Sequence, residues 1–221
     1  MKNSKMTKII SFALVFLTIG FTSIAQNKAT NNEEWKLVKA KKKGEGWQIY
    51  QMNVSNSKLN QYKIVGKMNC SPKQAQTTYW KMITDPALRI TKKGKSLGWV
   101  RVLDQTDNEM VVYDFMEGNF MAKARDVIAR YTLFEDSTQN SMGIKWKQTD
   151  WKGYEATDTI IRMPVAMGSW SFEKIDSENC LATGTYQFHP GGNPPAWLIN
   201  WVVKKTSPIE LEHLRKSLKK D

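Results

Sequence analysis

From Gly98 to Phe188 the chain is a succession of short runs in which apolar and polar residues alternate, with no helical stretch between them. The runs are Gly98–Leu103, Glu109–Met116, Arg125–Phe134, Gly143–Asp150, Glu155–Arg162, Ser169–Ile175 and Cys180–Phe188. In Arg125–Phe134, Val127, Ala129, Tyr131 and Leu133 fall on one face, and Asp126, Arg130 and Thr132 on the other. That is the period of a half-buried strand. Turn signals such as Glu117-Gly118-Asn119 and Asp176-Ser177-Glu178-Asn179 separate the runs at hairpin spacing. The pattern specifies an antiparallel meander. With Trp47–Val54 and Leu59–Cys70 ahead of it, the sheet reaches about nine strands, and one this size must bury a face or close on itself.

Helices are marked at a few places. Asn32 can cap a short helix, with Glu33 and Glu34 in its first turn and Lys41, Lys42 and Lys43 at its end, stopped by Gly44 or Gly46. Trp35 and Val38 would then face inward. Ser71-Pro72-Lys73-Gln74 is a capping box, and its helix presents Ala75, Tyr79, Met82 and Ile83 on one side before Asp85-Pro86 ends it. After Phe188, two glycines and three prolines in His189-Pro190-Gly191-Gly192-Asn193-Pro194-Pro195 redirect the chain into an apolar helix, Ala196–Lys204. Trp197 and Trp201 lie one turn apart on it. Ser207-Pro208-Ile209-Glu210 reads as a further capping box, opening a helix that presents Leu211, Leu214 and Leu218. These C-terminal residues are the sizeable cover left for the sheet. The fold class is therefore α+β, a curved antiparallel sheet wrapped on a long C-terminal lid helix. A cavity between the two is a preferred ligand site.

The N-terminus reads as a signal peptide spanning residues 1–25. Lys2, Lys5 and Lys8 precede an apolar run from Ile9 to Ile24, and Ser23-Ile24-Ala25 is a small-x-small cleavage site. A run of about 16 residues is short for a spanning helix, which needs about 20. The expected product has a flexible lead, residues 26–32, and one domain over residues 33–221, exported to the periplasm or beyond. Cleavage would lower the net charge from +12 to +9. A basic exported protein can make transient contact with an anionic membrane surface or glycan, or use its lysines for solubility alone. Nucleic acid is not an expected partner in that compartment. Cys70 and Cys180 are the two cysteines, and spacing leaves open whether they are bridged or free.

At this point a family comes into view. Gly46-Trp47-Gln48-Ile49-Tyr50, then Tyr62-Lys63-Ile64-Val65-Gly66 leading to Cys70-Ser71-Pro72, resembles the N-terminal half of START lipid-transfer domains. Arg125-Asp126-Val127 resembles their Arg-Asp strand start. Gly191-Gly192-Asn193-Pro194-Pro195-Ala196-Trp197-Leu198-Ile199-Asn200 resembles their turn from strand to lid, closest to the phosphatidylcholine-transfer branch. The resemblance spans about residues 33 to 218. It implies the helix-grip fold, one lipid or other hydrophobic small molecule in an internal cavity, no cofactor and no enzymatic activity. Asp85 and Arg89 match a motif whose arginine meets the lipid phosphate in that branch, although Lys92 and Lys93 replace the residues that follow it there. Where sterol-binding members carry an acidic–basic pair, this chain has Val112 and Tyr131.

The residues themselves suggest candidates for such a site. Arg89 reads either as a solvated arginine or as a bidentate ligand for phosphate or carboxylate. Trp99, Tyr113, Trp146, Trp170 and Tyr186 can form cavity walls, and nine tryptophans are many for a core of this size. Trp197 and Trp201 are expected to close the cavity, with Lys204 and Lys205 touching headgroups. Arg125 and Asp126 are strand neighbours on opposite faces, each expected to fix a nearby loop or strand. Two histidines far apart, with no nucleophile elbow, phosphate loop or zinc-spaced pair, leave the enzyme classes without a signature. The alternatives are a cavity enzyme of a related fold or a basic surface interaction module.

Overall fold

The computed structural model describes residues 34–54, 57, 59–89, 97–118 and 123–219. The expected signal peptide and lead lie outside the described residues. The strands are β1 (Lys36–Lys41), β2 (Trp47–Asn53), β3 (Asn60–Met68), β4 (Gly98–Gln105), β5 (Glu109–Met116), β6 (Arg125–Asp136), β7 (Ser141–Gln148), β8 (Ile161–Arg162), β9 (Val165–Lys174) and β10 (Cys180–His189). Helix α1 (Pro72–Met82) follows β3 and is trailed by a 3-10 turn, Pro86–Arg89; helix α2 (Ala196–Leu218) ends the described chain.

One open, curved sheet runs in the order β1-β2-β3-β10-β9-β7-β6-β5-β4, with the two-residue β8 parallel to the start of β6. All other pairings are antiparallel. Both edge strands carry a register shift, at Leu37/Lys39 in β1 and Val102/Asp104 in β4. Alternation sorts the faces as hydrophobic patterning requires. Tyr62, Ile64 and Met68 of β3, Ile144 of β7, Trp170 and Phe172 of β9 and Ala182 of β10 join one main core. Val111 and Tyr113 of β5 and Ile128 of β6 form a separate cluster behind the sheet.

Both helices cover the main core. Ser71 caps α1: its hydroxyl accepts from Gln74 N while the Gln74 side chain accepts from Ser71 N, the reciprocal pair of the capping box. Ala75, Tyr79 and Met82, with Ile83 just past the helix end, are buried as the spacing predicts. Gln76 is also buried, because its amide donates to the carbonyls of Phe134 and Gly143 and so ties α1 to the sheet. The C-terminal helix is thus one of two covers.

Three expectations are corrected. The first expected helix is strand β1, with all six residues exposed. Its backbone pairs with β2, from Lys36 opposite Gln51 to Lys41 opposite Trp47, and this non-local ladder overrides the helical spacing. Of Glu155–Arg162 only Ile161 and Arg162 pair. The segment before them is anchored instead by Arg162, which grips Asp126 through Nε at 2.7 Å and Nη2 at 3.1 Å and donates to the Tyr154 carbonyl at 2.9 Å. Third, α2 is one helix of 23 residues with Pro208 inside it. Proline removes a donor from the helix interior. Thr206 and Ser207 hydroxyls donate to the Val202 and Val203 carbonyls at that point. What reads as a second helix start is a continuation.

The redirecting turn needs both glycines: Gly191 and Gly192 have φ of 74° and 68°. Arg125 Nε donates to the Pro190 carbonyl at 2.9 Å, holding that turn to the start of β6. Cys70 and Cys180 are buried and unbridged, with their sulfurs 4.0 Å apart.

Candidate functional site

The site begins with strand register. Tyr131 of β6 lies opposite Trp146 of β7, Trp146 opposite Gly168 of β9, and Gly168 opposite Tyr186 of β10. Four strands therefore place one row of side chains on the inner face, large on either side of small. A Cβ at Gly168 would sit 2.5 Å from the Trp146 ring, so glycine there lets the indole lie flat across β9. Trp146 is 6.0 Å from Tyr131 and 5.9 Å from Tyr186, centroid to centroid. The neighbouring row repeats the device with Trp170 beside Gly184.

α2 faces this wall. Val203, Ser207 and Glu210 recur at helical spacing on its inner side, and α1 contributes Tyr79, Met82 and Ile83. Between them lies a cavity of about 540 Å³, within the range of small-molecule sites. Its lining is mostly apolar with a few polar groups. Tyr79 Oη donates to Glu210 Oε1 at 2.6 Å. Tyr186 Oη is buried, makes no bond of normal hydrogen-bond length, and lies near the Glu210 carboxylate. Asp114 and His213 also line the space. Burial first, and then the nearby Glu210 charge, push the Tyr79 and Tyr186 phenols well above their usual range, so both stay neutral.

The candidate residues separate into groups. Trp146 and Tyr186 line the cavity. Trp170 is fully buried beneath them, 5.9 Å from Tyr79 and 6.1 Å from Tyr186. Trp99 and Tyr113 lie on the opposite face, because alternation turns Val112 and Asp114 inward. There Trp99 stacks on Phe115 and packs tilted against Tyr113, which in turn packs on Tyr154. Among the described residues they are not part of the lining of this cavity. Trp197 and Trp201 do not close the cavity either. They are 70% and 51% exposed, since the α2 face carrying Ile199, Val203 and Leu214 is the one that packs inward. Arg89 ends the 3-10 turn, and its side chain is outside the described residues. Tyr131, Phe188, Glu210 and His213 are lining residues that the sequence reading missed as site members. Alternation through Tyr131 and Phe188 carried that signal. Glu210 was taken as a helix cap.

Asp126 and Arg162 belong to the far face and fix structure there. Tyr113 Oη donates to Asp126 at 3.0 Å. Burial, and then the Asp126 carboxylate, push this phenol up to about 12 from its usual 10.0. A folded pKa above the unfolded one means that stability is complete below pH 10.0 and is lost as pH rises toward about 12. Urea titrations across that window are expected to show a falling midpoint, and a shallower fall for Tyr113→Phe. An equal slope in the variant would remove Tyr113 as a contributor.

Among the described residues no group of acidic, histidine or cysteine side chains could hold a metal ion. None of the described helices is long and apolar enough to cross a membrane.

An open curved sheet, a long C-terminal helix and a cavity between them define the helix-grip fold of START domains. The Xanthomonas axonopodis STAR-related lipid transfer protein superposes with a TM-score of 0.66 at 21% identity, over 84% of this chain and 98% of that one. Human STARD10 gives a TM-score of 0.66 at 19% identity, over 84% of this chain and 73% of that one. In sequence, the chain is 24% identical over 197 residues to the phosphatidylcholine transfer protein of Mus musculus, covering 87% of each. No family model matches. The chain thus has the START helix-grip fold, and its sequence is similar to that of phosphatidylcholine transfer protein.

Proposed function

We propose that this protein binds a single lipid or similar hydrophobic molecule in the cavity between its sheet and α2, and carries or senses it outside the cytoplasm. The observation that carries the reading is the cavity of about 540 Å³ walled by Tyr131, Trp146, Tyr186 and α2. Burying an acyl chain there supplies affinity at about 0.8 kcal/mol per CH₂. Relatives named for lipid transfer support it. The protein purified from its native host is expected to carry a bound lipid, seen by native mass spectrometry as a discrete mass increment. Repeated preparations with no such increment would sink the proposal.

Delivery involves contact with an anionic membrane. Trp197 and Trp201 present exposed indoles on α2, and Lys205 Nζ lies 4.5 Å from the Trp201 ring centroid. Indole with adjacent cation suits the headgroup level of a bilayer, where each basic residue adds about 1 kcal/mol. Trp197→Ala combined with Trp201→Ala is expected to weaken binding to phosphatidylserine vesicles about tenfold or more without changing thermal stability. Unchanged vesicle sedimentation would refute this role. Export rests on the lysine-flanked apolar run and the cleavage site at Ala25. N-terminal sequencing of the protein from cell fractions tests it, and an intact Met1 on cytoplasmic protein would count against it.

A further inference from the structure

Within the cavity three polar groups stand together: Glu210 and the hydroxyls of Tyr79 and Tyr186. Glu210 projects from α2 with one oxygen accepting from Tyr79 Oη at 2.6 Å. Its other oxygen makes no bond of normal hydrogen-bond length with the described residues, and no lysine or arginine among them pairs with it, although the carboxylate lies near enough to Tyr186 to push that phenol up. Glu210 is half-buried, and a carboxylate that has lost part of its water is favoured by a donor or a cation beside it. Tyr186, lining the same cavity, has a buried hydroxyl that makes no bond of normal hydrogen-bond length. A buried phenol left in that state calls for an explanation in the same way. The two open valences are complementary, because one accepts and the other can donate or accept.

We propose that Glu210, with the hydroxyls of Tyr79 and Tyr186, is the polar recognition point of the cavity, and that it takes the hydrogen-bond-donating end of an otherwise apolar molecule. That end is an ammonium or a hydroxyl. The inference rests on the reading of the cavity as a lipid site and names the chemistry that site selects. An ammonium donates to the free Glu210 oxygen in a charge-assisted bond, and the phenol oxygen of Tyr186 accepts another of its protons. A hydroxyl donates to Glu210 and accepts from Tyr186 Oη. A carboxylate end would instead meet the Glu210 carboxylate. Like charges at such range disfavour it. Tyr79 is the positioning residue: its hydrogen bond leaves one Glu210 oxygen free for the ligand.

The test uses the full mature chain and four ligands of equal length, each as monomers: hexadecylamine, hexadecanol, palmitate and hexadecyl methyl ether. Displacement of a fluorescent apolar probe reports their affinities. The amine and the alcohol are expected to bind about tenfold tighter than the ether, and palmitate more weakly than the ether. Glu210→Gln keeps an acceptor for Tyr79 and removes the charge. It is expected to lose about tenfold for the amine and nothing for the ether, whereas Tyr186→Phe weakens the alcohol several-fold and spares the ether. Palmitate binding as tightly as the amine, or Glu210→Gln weakening ether and amine alike, would overturn the recognition point while leaving the cavity reading intact. Failure of all four ligands and the probe to bind would overturn the cavity reading, and this inference with it.

Discussion

Arg215→Met is expected to lower the stability of the domain by about 3–5 kcal/mol, read as a shift of the urea midpoint by tryptophan fluorescence. The Arg215 side chain is 5% exposed and reaches from α2 into the joint between β2 and β3. Its Nη1 donates to the Glu45 carbonyl at 2.8 Å, and its Nη2 to the carbonyls of Gly46 at 3.0 Å and Lys67 at 2.6 Å. Burial lowers its pKa, and the Glu45 carboxylate, 3.9 Å from Nε, acts in the opposite direction. A methionine fills much of the volume but leaves those carbonyls without donors, and each buried orphan costs about 1–3 kcal/mol. Space for the guanidinium comes from Gly66, where a Cβ would stand 2.8 Å from Nη2. Lysine restores the charge but cannot span three acceptors with a planar fork, so Arg215→Lys is expected to recover less than half of the loss. A midpoint for Arg215→Met within error of the parent would show that water replaces the guanidinium at no cost.

Trp170→Ala is expected to cost a similar amount, about 3–5 kcal/mol, for a different reason. Trp170 is fully buried and stacks on Phe172 at 6.1 Å with the rings 4° from parallel. It also supports Tyr79 and Tyr186 from behind. The substitution therefore opens a void beneath the cavity wall, not in it. Stability and near-ultraviolet dichroism should both fall, because the ring contacts that fix the neighbouring aromatics are lost. Full retention of the near-ultraviolet spectrum would contradict this packing role.

Much of the fold was legible because its signals are local. The Ser71 capping box, the buried spacing of α1 and the alternation through β3, β5 and β6 each specify an element within a few residues. β1 was misread because Lys36–Lys41 has no strong pattern of its own and acquires its state from pairing with β2. The break expected before Pro208 was misread because the Ser-Pro-Ile-Glu spacing is the same at a helix start and inside a helix whose hydroxyls turn back on the preceding turn. The site was half legible. Alternation establishes that Trp146 and Tyr186 can share a face, but not which face is concave. Trp99 and Tyr113 consequently fell on the wrong side. On α2 the apolar spacing of Leu211, Leu214 and Leu218 was read correctly and joins the core, whereas at the start of the helix the smaller Ile199 is buried while Trp197 and Trp201 are exposed.

The two strand edges bear on self-association. A sheet this broad that never closes has rows of unpaired peptide groups at β1 and β4, onto which another copy could add a strand. Lys36, Lys39 and Lys41 stud one edge, and a register shift interrupts the ladder at both. Repulsion between like lysines and a broken peptide spacing make each edge a poor template for self-stacking. Part of the chain's positive charge thus guards against fibrous assembly.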